Sequence, residues 1–159
     1  MSRQVYFDNA ATTPMRNEVV DRMTEVMKLN FGNASSTHSF GRSSKALIEQ
    51  SRKVIASFLK VSASEIVFTS GGTEADNLVL RSAVKDLKVE EIITSKIEHH
   101  AILHTVEELS KEFKIDVKYV DLDSKGNINY QHLEQLLQSA KKQLVSLMHI
   151  NNDIGNTLD

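Results

Sequence analysis

The sequence predicts an α/β fold: a mainly parallel sheet flanked by helices, preceded by a helical N-terminal segment. Three observations predict it. Short apolar runs alternate with amphipathic stretches from residue 65 onward. The runs are too short to be helices and are bounded by polar, turn-forming residues. The chain contains a single proline, Pro14, so nothing interrupts the helical stretches. Alternation of this kind builds a parallel sheet covered on both faces.

The elements follow in order. Thr13 and Pro14 offer a helix start, with Thr13 as N-cap and Pro14 in the first turn. Apolar side chains then recur at Val19, Val20, Met23, Val26 and Met27, which is helical spacing. Residues 30–44 hold two glycines and six Ser/Thr residues and read as a long loop, a length often tied to function. A second helix is expected from Lys45 to Lys60, with Leu47, Val54, Ile55, Phe58 and Leu59 turned inward. Ile66-Val67-Phe68 reads as the first strand, ending at Thr69-Ser70-Gly71-Gly72. A helix over 73–85, a strand at 92–94, a helix over 99–112 and a strand at 117–120 follow. A turn at Ser124-Lys125-Gly126, a helix over 131–140 and a strand at 144–148 complete the pattern. The expected division is 1–60, helical segment and long loop, and 61–159, an incomplete sheet domain. No helix follows the last strand to cover it, which reads as a domain cut partway.

Composition removes several function classes. With 19 basic and 21 acidic side chains the formal charge is −2, giving no reason to expect nucleic acid or an anionic membrane as partner. The absence of cysteine excludes a disulfide scaffold, a thiolate metal site and a cysteine nucleophile within the chain. There is no signal pattern and no long apolar run, so the expected location is the cytoplasm, with no membrane partner.

Ligands of open α/β sheets collect at the carboxyl ends of the strands. Those ends carry Thr69–Glu74, then Thr94-Ser95 leading to Glu98-His99-His100, then His149-Ile150-Asn151-Asn152. Paired glycines at a helix start admit close backbone approach by an anion, and the free N–H groups and helix dipole favour a phosphate. Ser70 and Thr73 add hydroxyls. The same residues also suit a tight strand-to-helix turn, and they match neither GxGxxG nor GxxxxGK[ST]. His99 could present a ring face and a titratable nitrogen, or be a solvated or backbone-bonded side chain. His100 and His104 stand at i, i+4 spacing without an evident third metal ligand, so no metal site is assigned. His38 reads as structural, and Glu107, Glu108 and Glu112 as a solvated face. Asn152 offers an amide to a ring substituent, or satisfies its own turn. No Ser-His-Asp arrangement is supported.

Five segments in order, VYFDNAATTP (5–14), FGNASSTHSFGR (31–42), EIVFTSGGTEADNL (65–78), IITSKIEHHAILHT (92–105) and LVSLMHINNDIG (144–155), resemble the cysteine desulfurases of the class V aminotransferase group. The resemblance implies the N-terminal portion of the large domain of fold-type I pyridoxal-phosphate enzymes. It implies conversion of L-cysteine to L-alanine, with the sulfur passed to an enzyme persulfide for iron–sulfur cluster assembly or tRNA thiolation. It also implies a sulfur-acceptor protein as partner and a homodimer when complete. Gly72 and Thr73 would bind the phosphate of pyridoxal 5'-phosphate. His99 would stack on the pyridine ring and move protons, and Asn152 would bond the ring hydroxyl. Some features of the family have no counterpart here. Its Schiff-base lysine, ring-nitrogen aspartate, persulfide cysteine and substrate arginine are expected beyond residue 159. Asp153 replaces the usual Glu, Ala34 the usual Pro, and Asn156-Thr157-Leu158-Asp159 departs from the usual continuation. The chain is therefore expected to be inactive alone. Two other readings are a non-catalytic complementation or binding module, and another class V aminotransferase or selenocysteine lyase.

Overall fold

The computed structural model describes residues 3–158. Asp159, last of the four residues read as an abnormal C terminus, lies outside the described residues. The chain divides into two compact units, one running through Phe68 and one from Thr69 onward.

The first unit holds α1 (Asn17–Leu29), α2 (Ser39–Leu59) and a 3-10 turn at Ala63–Glu65. Helix α1 begins three residues past Pro14, with Arg16 at its N-cap and no side chain capping it. The Thr13 cap expected from sequence does not form. Helix α2 begins at Ser39 rather than Lys45, so the loop is shorter than expected. His38 caps it, its Nδ1 accepting the Gly41 N–H at 3.4 Å. The small residues read as loop are needed here because the preceding loop packs on the helix. Gly41 is buried, and a Cβ there would overlap the Ser36 carbonyl. Ser44 Oγ donates to the Asn30 carbonyl at 3.1 Å. Ser62 and Glu65 form a capping box around the 3-10 turn.

Two further expectations fail in this unit. Val54, Ile55, Phe58 and Leu59, expected inward, are exposed, Phe58 at 88%. Residues 66–68 are extended but join no ladder. Arg52 of α2 holds them instead: it donates to the Ile66 carbonyl, and its guanidinium lies 4.8 Å from the Phe68 ring centroid. A cation over a ring face and a charged donor on the carbonyl satisfy the segment without strand partners.

The second unit holds α3 (Gly72–Lys85), β1 (Glu91–Thr94), α4 (His100–Phe113), β2 (Asp116–Tyr119), α5 (Tyr130–Leu136) and β3 (Gln143–Val145). The three strands form a parallel sheet in the order β2-β1-β3. Ile92 faces Val117 on one side and Leu144 on the other. All four residues of β1 are buried, as a central strand covered on both faces requires. Ile92 enters a core with Leu80, Ala83 and Val84 of α3 and Ile102, Val106 and Leu109 of α4. This is the expected α/β architecture with one strand fewer. The last strand ends at Val145, although the Ser146 N–H still reaches the Ile93 carbonyl at 2.9 Å. No helix among the described residues is long and apolar enough to cross a membrane.

Candidate functional site

The site residues expected from sequence sit where β1 and β3 hand over to loops and where α3 and α4 begin. Five residues separate the end of β1 from the start of α4, so the N-terminus of α4 lies at the carboxyl edge of the sheet. Side-chain contacts fix how α3 lies against it. Thr105 Oγ1 donates to Asn77 Oδ1 at 2.9 Å, a separation of 28 residues, and Arg81 donates to Glu108 at 2.6 Å, a separation of 27. A near-constant offset means that the helices run side by side in the same direction. Asn77 and Thr105 each lie five residues past the first residue of their helix, so the two helix starts are equally far along the chain from this contact. The starts of α3 and α4 are therefore neighbours.

Helix α3 is capped by no side chain; Gly71 occupies its N-cap in extended backbone, with φ 168°. A Cβ at Gly71 or Gly72 would meet nothing within 4 Å. The first-turn N–H groups lack intrahelical acceptors by geometry and carry the positive end of the helix dipole. Ser70, expected as a donor to an anion, is already engaged: its N–H and hydroxyl donate to Glu74 Oε2 at 2.6 and 2.7 Å. Those two bonds hold the Glu74 carboxyl below its ordinary value. The first-turn donors at this point include the N–H groups of Gly72, Thr73 and Glu74 and the Thr73 hydroxyl, since the first intrahelical bond is made by the Ala75 N–H to the Gly71 carbonyl. This set fits a phosphate: open approach, main-chain donors and an uncapped helix start.

His99 is the N-cap of α4. Its Nδ1 accepts the Ala101 N–H at 3.1 Å, so the neutral ring carries its proton on Nε2. The ring is backbone-bonded and also exposed. Its centroid stands 6.3 Å from that of His100, edge to face. His100 and His104 bring their ring centroids within 5.3 Å, and no group of three metal-binding side chains occurs among the described residues.

Asn152 is exposed, its Nδ2 donating to Asp153 Oδ1 at 3.0 Å. The turn-satisfying role belongs to its neighbour. Asn151 Oδ1 accepts the N–H groups of Asp153 and Ile154 at 2.9 and 3.1 Å. Asn151 Nδ2 donates to the Ile97 carbonyl at 2.9 Å, which ties the loop after β3 to the loop after β1. A second tie runs from the Met148 N–H to Glu98 Oε1 at 2.8 Å. Gly72, Thr73, His99 and Asn152 thus stand on adjoining segments of one edge, all exposed. A cavity of 110 Å³ nearby is lined by Ser95, Glu98, Met148 and Asn151 among others. It is smaller than the roughly 300–1,000 Å³ of ordinary small-molecule sites and contains none of the four.

Sequence reasoning passed over Glu98 and Asn151. Glu98 is 8% exposed, and burial pushes its carboxyl above its ordinary value against the bonds from Met148 and Ser95, with the Asp76 charge adding to the rise. An acidic residue in a loop reads as solvated unless its donors are known. The adjacent pairs Glu98-His99 and Asn151-Asn152 were the available signal.

The aminotransferase class-V family profile matches residues 5–159. Cysteine desulfurase IscS of Dictyoglomus turgidum is 42% identical over 157 residues, covering 98% of this chain and 39% of that protein. A putative cysteine desulfurase, IscS 1 of Bacillus subtilis, is 43% identical over 155 residues, covering 96% of this chain and 40% of that protein. Among solved structures, a NifS-like protein superposes with a TM-score of 0.89 at 36% identity, covering 98% of this chain and 43% of that one. SspA in complex with cysteine superposes at 0.84 with 34% identity, covering 96% of this chain and 44% of that one. The chain thus spans about 40% of the length of the curated relatives it matches. A profile match over nearly every residue, with a sheet and helices that superpose on NifS-like structures, makes this chain a member of the class V aminotransferase family.

Proposed function

We propose that this chain supplies the phosphate- and ring-binding part of a cysteine desulfurase acting on L-cysteine, and that it does not turn over alone. The reading rests on one observation above the rest: the uncapped glycine start of α3 lies beside the His99 cap of α4, at the edge where Asn152 also stands. Gly72 and Thr73 hold the phosphate through main-chain N–H groups and a hydroxyl. His99 would stack on the ring, with Nδ1 occupied by the Ala101 N–H and Nε2 left to hold or release a proton. Asn152, whose Nδ2 donates to Asp153, would bond the ring hydroxyl. When bound, pyridoxal phosphate draws electrons from the substrate α-carbon. The chain contributes binding, orientation and one proton-carrying nitrogen.

The chain has no cysteine, so a persulfide cannot form on it. In this reading the sulfur passes to a thiol outside this sequence and then to an acceptor protein for iron–sulfur cluster assembly or tRNA thiolation. The working enzyme is a cytoplasmic homodimer.

The test is a titration of pyridoxal phosphate into the purified chain, followed by absorbance and by intrinsic tyrosine fluorescence. Saturable binding is expected. Gly72→Glu should abolish it by filling the open approach with a side chain of like charge, and Thr73→Ala should weaken it by roughly ten- to a hundredfold, the loss of one hydrogen bond to a charged group. L-cysteine added to the mixture should release no sulfide or alanine beyond the free-cofactor control. Binding unaffected by Gly72→Glu would overturn the phosphate assignment, and robust sulfide release would overturn the claim of no turnover.

A further inference from the structure

We propose that Glu98 and Asn151 form a reciprocal clamp between the loop after β1 and the loop after β3, and that this clamp sets the separation of His99 and Asn152. The inference rests on the cofactor reading above and adds two positioning residues to it. Each clamp residue immediately precedes a residue assigned to the cofactor. Each reaches across to the other loop: Glu98 Oε1 accepts the Met148 N–H at 2.8 Å, and Asn151 Nδ2 donates to the Ile97 carbonyl at 2.9 Å. One loop gives an acceptor side chain and the other a donor, and both bonds end on main chain.

Three further facts set this apart from ordinary loop packing. The sheet ladder between β1 and β3 stops at the Ser146 N–H to Ile93 carbonyl bond, so the ladder does not hold residues 147–152. Both residues are buried, at 8% and 5% exposure, and the cross-loop bonds are part-buried, which limits competition from water. The remaining capacity of each group stiffens its own loop. Glu98 Oε1 takes the Ser95 hydroxyl at 3.1 Å, and Asn151 Oδ1 takes the Asp153 and Ile154 N–H groups. A buried carboxylate is costly unless it is bonded in this way. Its presence in a loop one residue from His99 is accounted for by the clamp.

Two readouts test the proposal on the full chain: pyridoxal-phosphate affinity, and hydrogen exchange at the Met148 amide. Glu98→Gln keeps an oxygen at the acceptor position, whereas Glu98→Ala removes it. The alanine variant should lose roughly tenfold in cofactor affinity and speed Met148 exchange by roughly tenfold, the effect of breaking one buried bond. The glutamine variant should restore both to near the wild-type values. Asn151→Ala attacks the opposite bond and should weaken affinity with Glu98 intact. Protected amides of Val106 and Leu109 report that each variant is folded. Cofactor affinity unchanged in both alanine variants would overturn the positioning role, as would a glutamine variant as weak as the alanine one. If the wild-type chain binds no cofactor, the cofactor reading fails, and Met148 exchange alone decides whether the clamp exists.

Discussion

Glu98 couples the clamp to pH, and the sign follows from its surroundings. Burial raises its folded-state value above the ordinary 4.5, with Asp76 of α3 adding to the rise. The folded chain then retains a proton that the unfolded chain has lost. The stability so contributed is complete below the ordinary value and disappears as pH rises through the raised one. Glu74, Asp116 and Asp123 act in the opposite sense, since hydrogen bonds lower their values and their contribution disappears as pH falls. Urea unfolding of the wild type and Glu98→Gln at pH 4, 5.5 and 7 separates the two. Relative to wild type, the glutamine variant should gain stability as pH rises, because the falling contribution of Glu98 is absent. Parallel curves for the two proteins would remove Glu98 as the source. At this scale the sequence was readable where main chain does the work and unreadable where burial does. The glycine pair and His99 were visible as types in a pattern. Glu98 and Asn151 were not, because their importance comes from hydrogen-bond partners some 50 residues away, a donor for Glu98 and an acceptor for Asn151.

Between α3 and α4 the packing decides whether the two helix starts stay level. The apolar part is the cluster of Leu80, Ala83, Val84, Ile102, Val106 and Leu109 against Ile92. The polar part is the Asn77–Thr105 bond, with the Thr105 side chain buried. Leu109→Ala should cost about 2–5 kcal/mol through lost transfer energy and a cavity. Asn77→Ala should cost about 1–3 kcal/mol, because it leaves the buried Thr105 hydroxyl without its acceptor. Urea midpoints measure both, and an Asn77→Ala variant as stable as wild type would sink the idea that this bond sets the register. The helices themselves were legible from spacing: α3 and α4 lie within a residue of the expected 73–85 and 99–112. The first unit was less legible. Ser and Gly residues at 39–44 read as loop but form the first turns of α2, because Gly41 must pass close to the Ser36 carbonyl. Residues 66–68 read as a strand by composition, but Arg52 satisfies them before any ladder does. Periodicity reports which face is apolar; it does not report which neighbour arrives.

Across the whole molecule the apolar burial is unequal, and this predicts unequal stability. In the unit through Phe68, Ala56 is the one buried hydrophobic among the described residues, while the unit from Thr69 onward buries Leu80, Ile92, Ile93, Val106, Leu109 and others. Burying one large aliphatic side chain contributes about 1.5–3 kcal/mol before the entropy of ordering it, so the second unit has much the larger driving force for folding. The first unit relies on hydrogen bonds near its surface, such as those from Ser43 and Ser44 to Asn30. Such bonds contribute only about 0.5–1.5 kcal/mol each. The units should therefore open separately. Native-state hydrogen exchange across a range of urea concentrations should show amides of α1 and α2 exchanging through low-energy openings. Amides of β1, α3 and α4 should exchange only through a larger, later one. Pyridoxal phosphate should protect the second set and leave the first unchanged, since every residue assigned to the cofactor lies beyond Phe68. One merged exchange isotherm for all five elements would show instead that the chain unfolds as a single cooperative body, with the exposed apolar side chains of α1 and α2 held by contacts as strong as the core around Ile92.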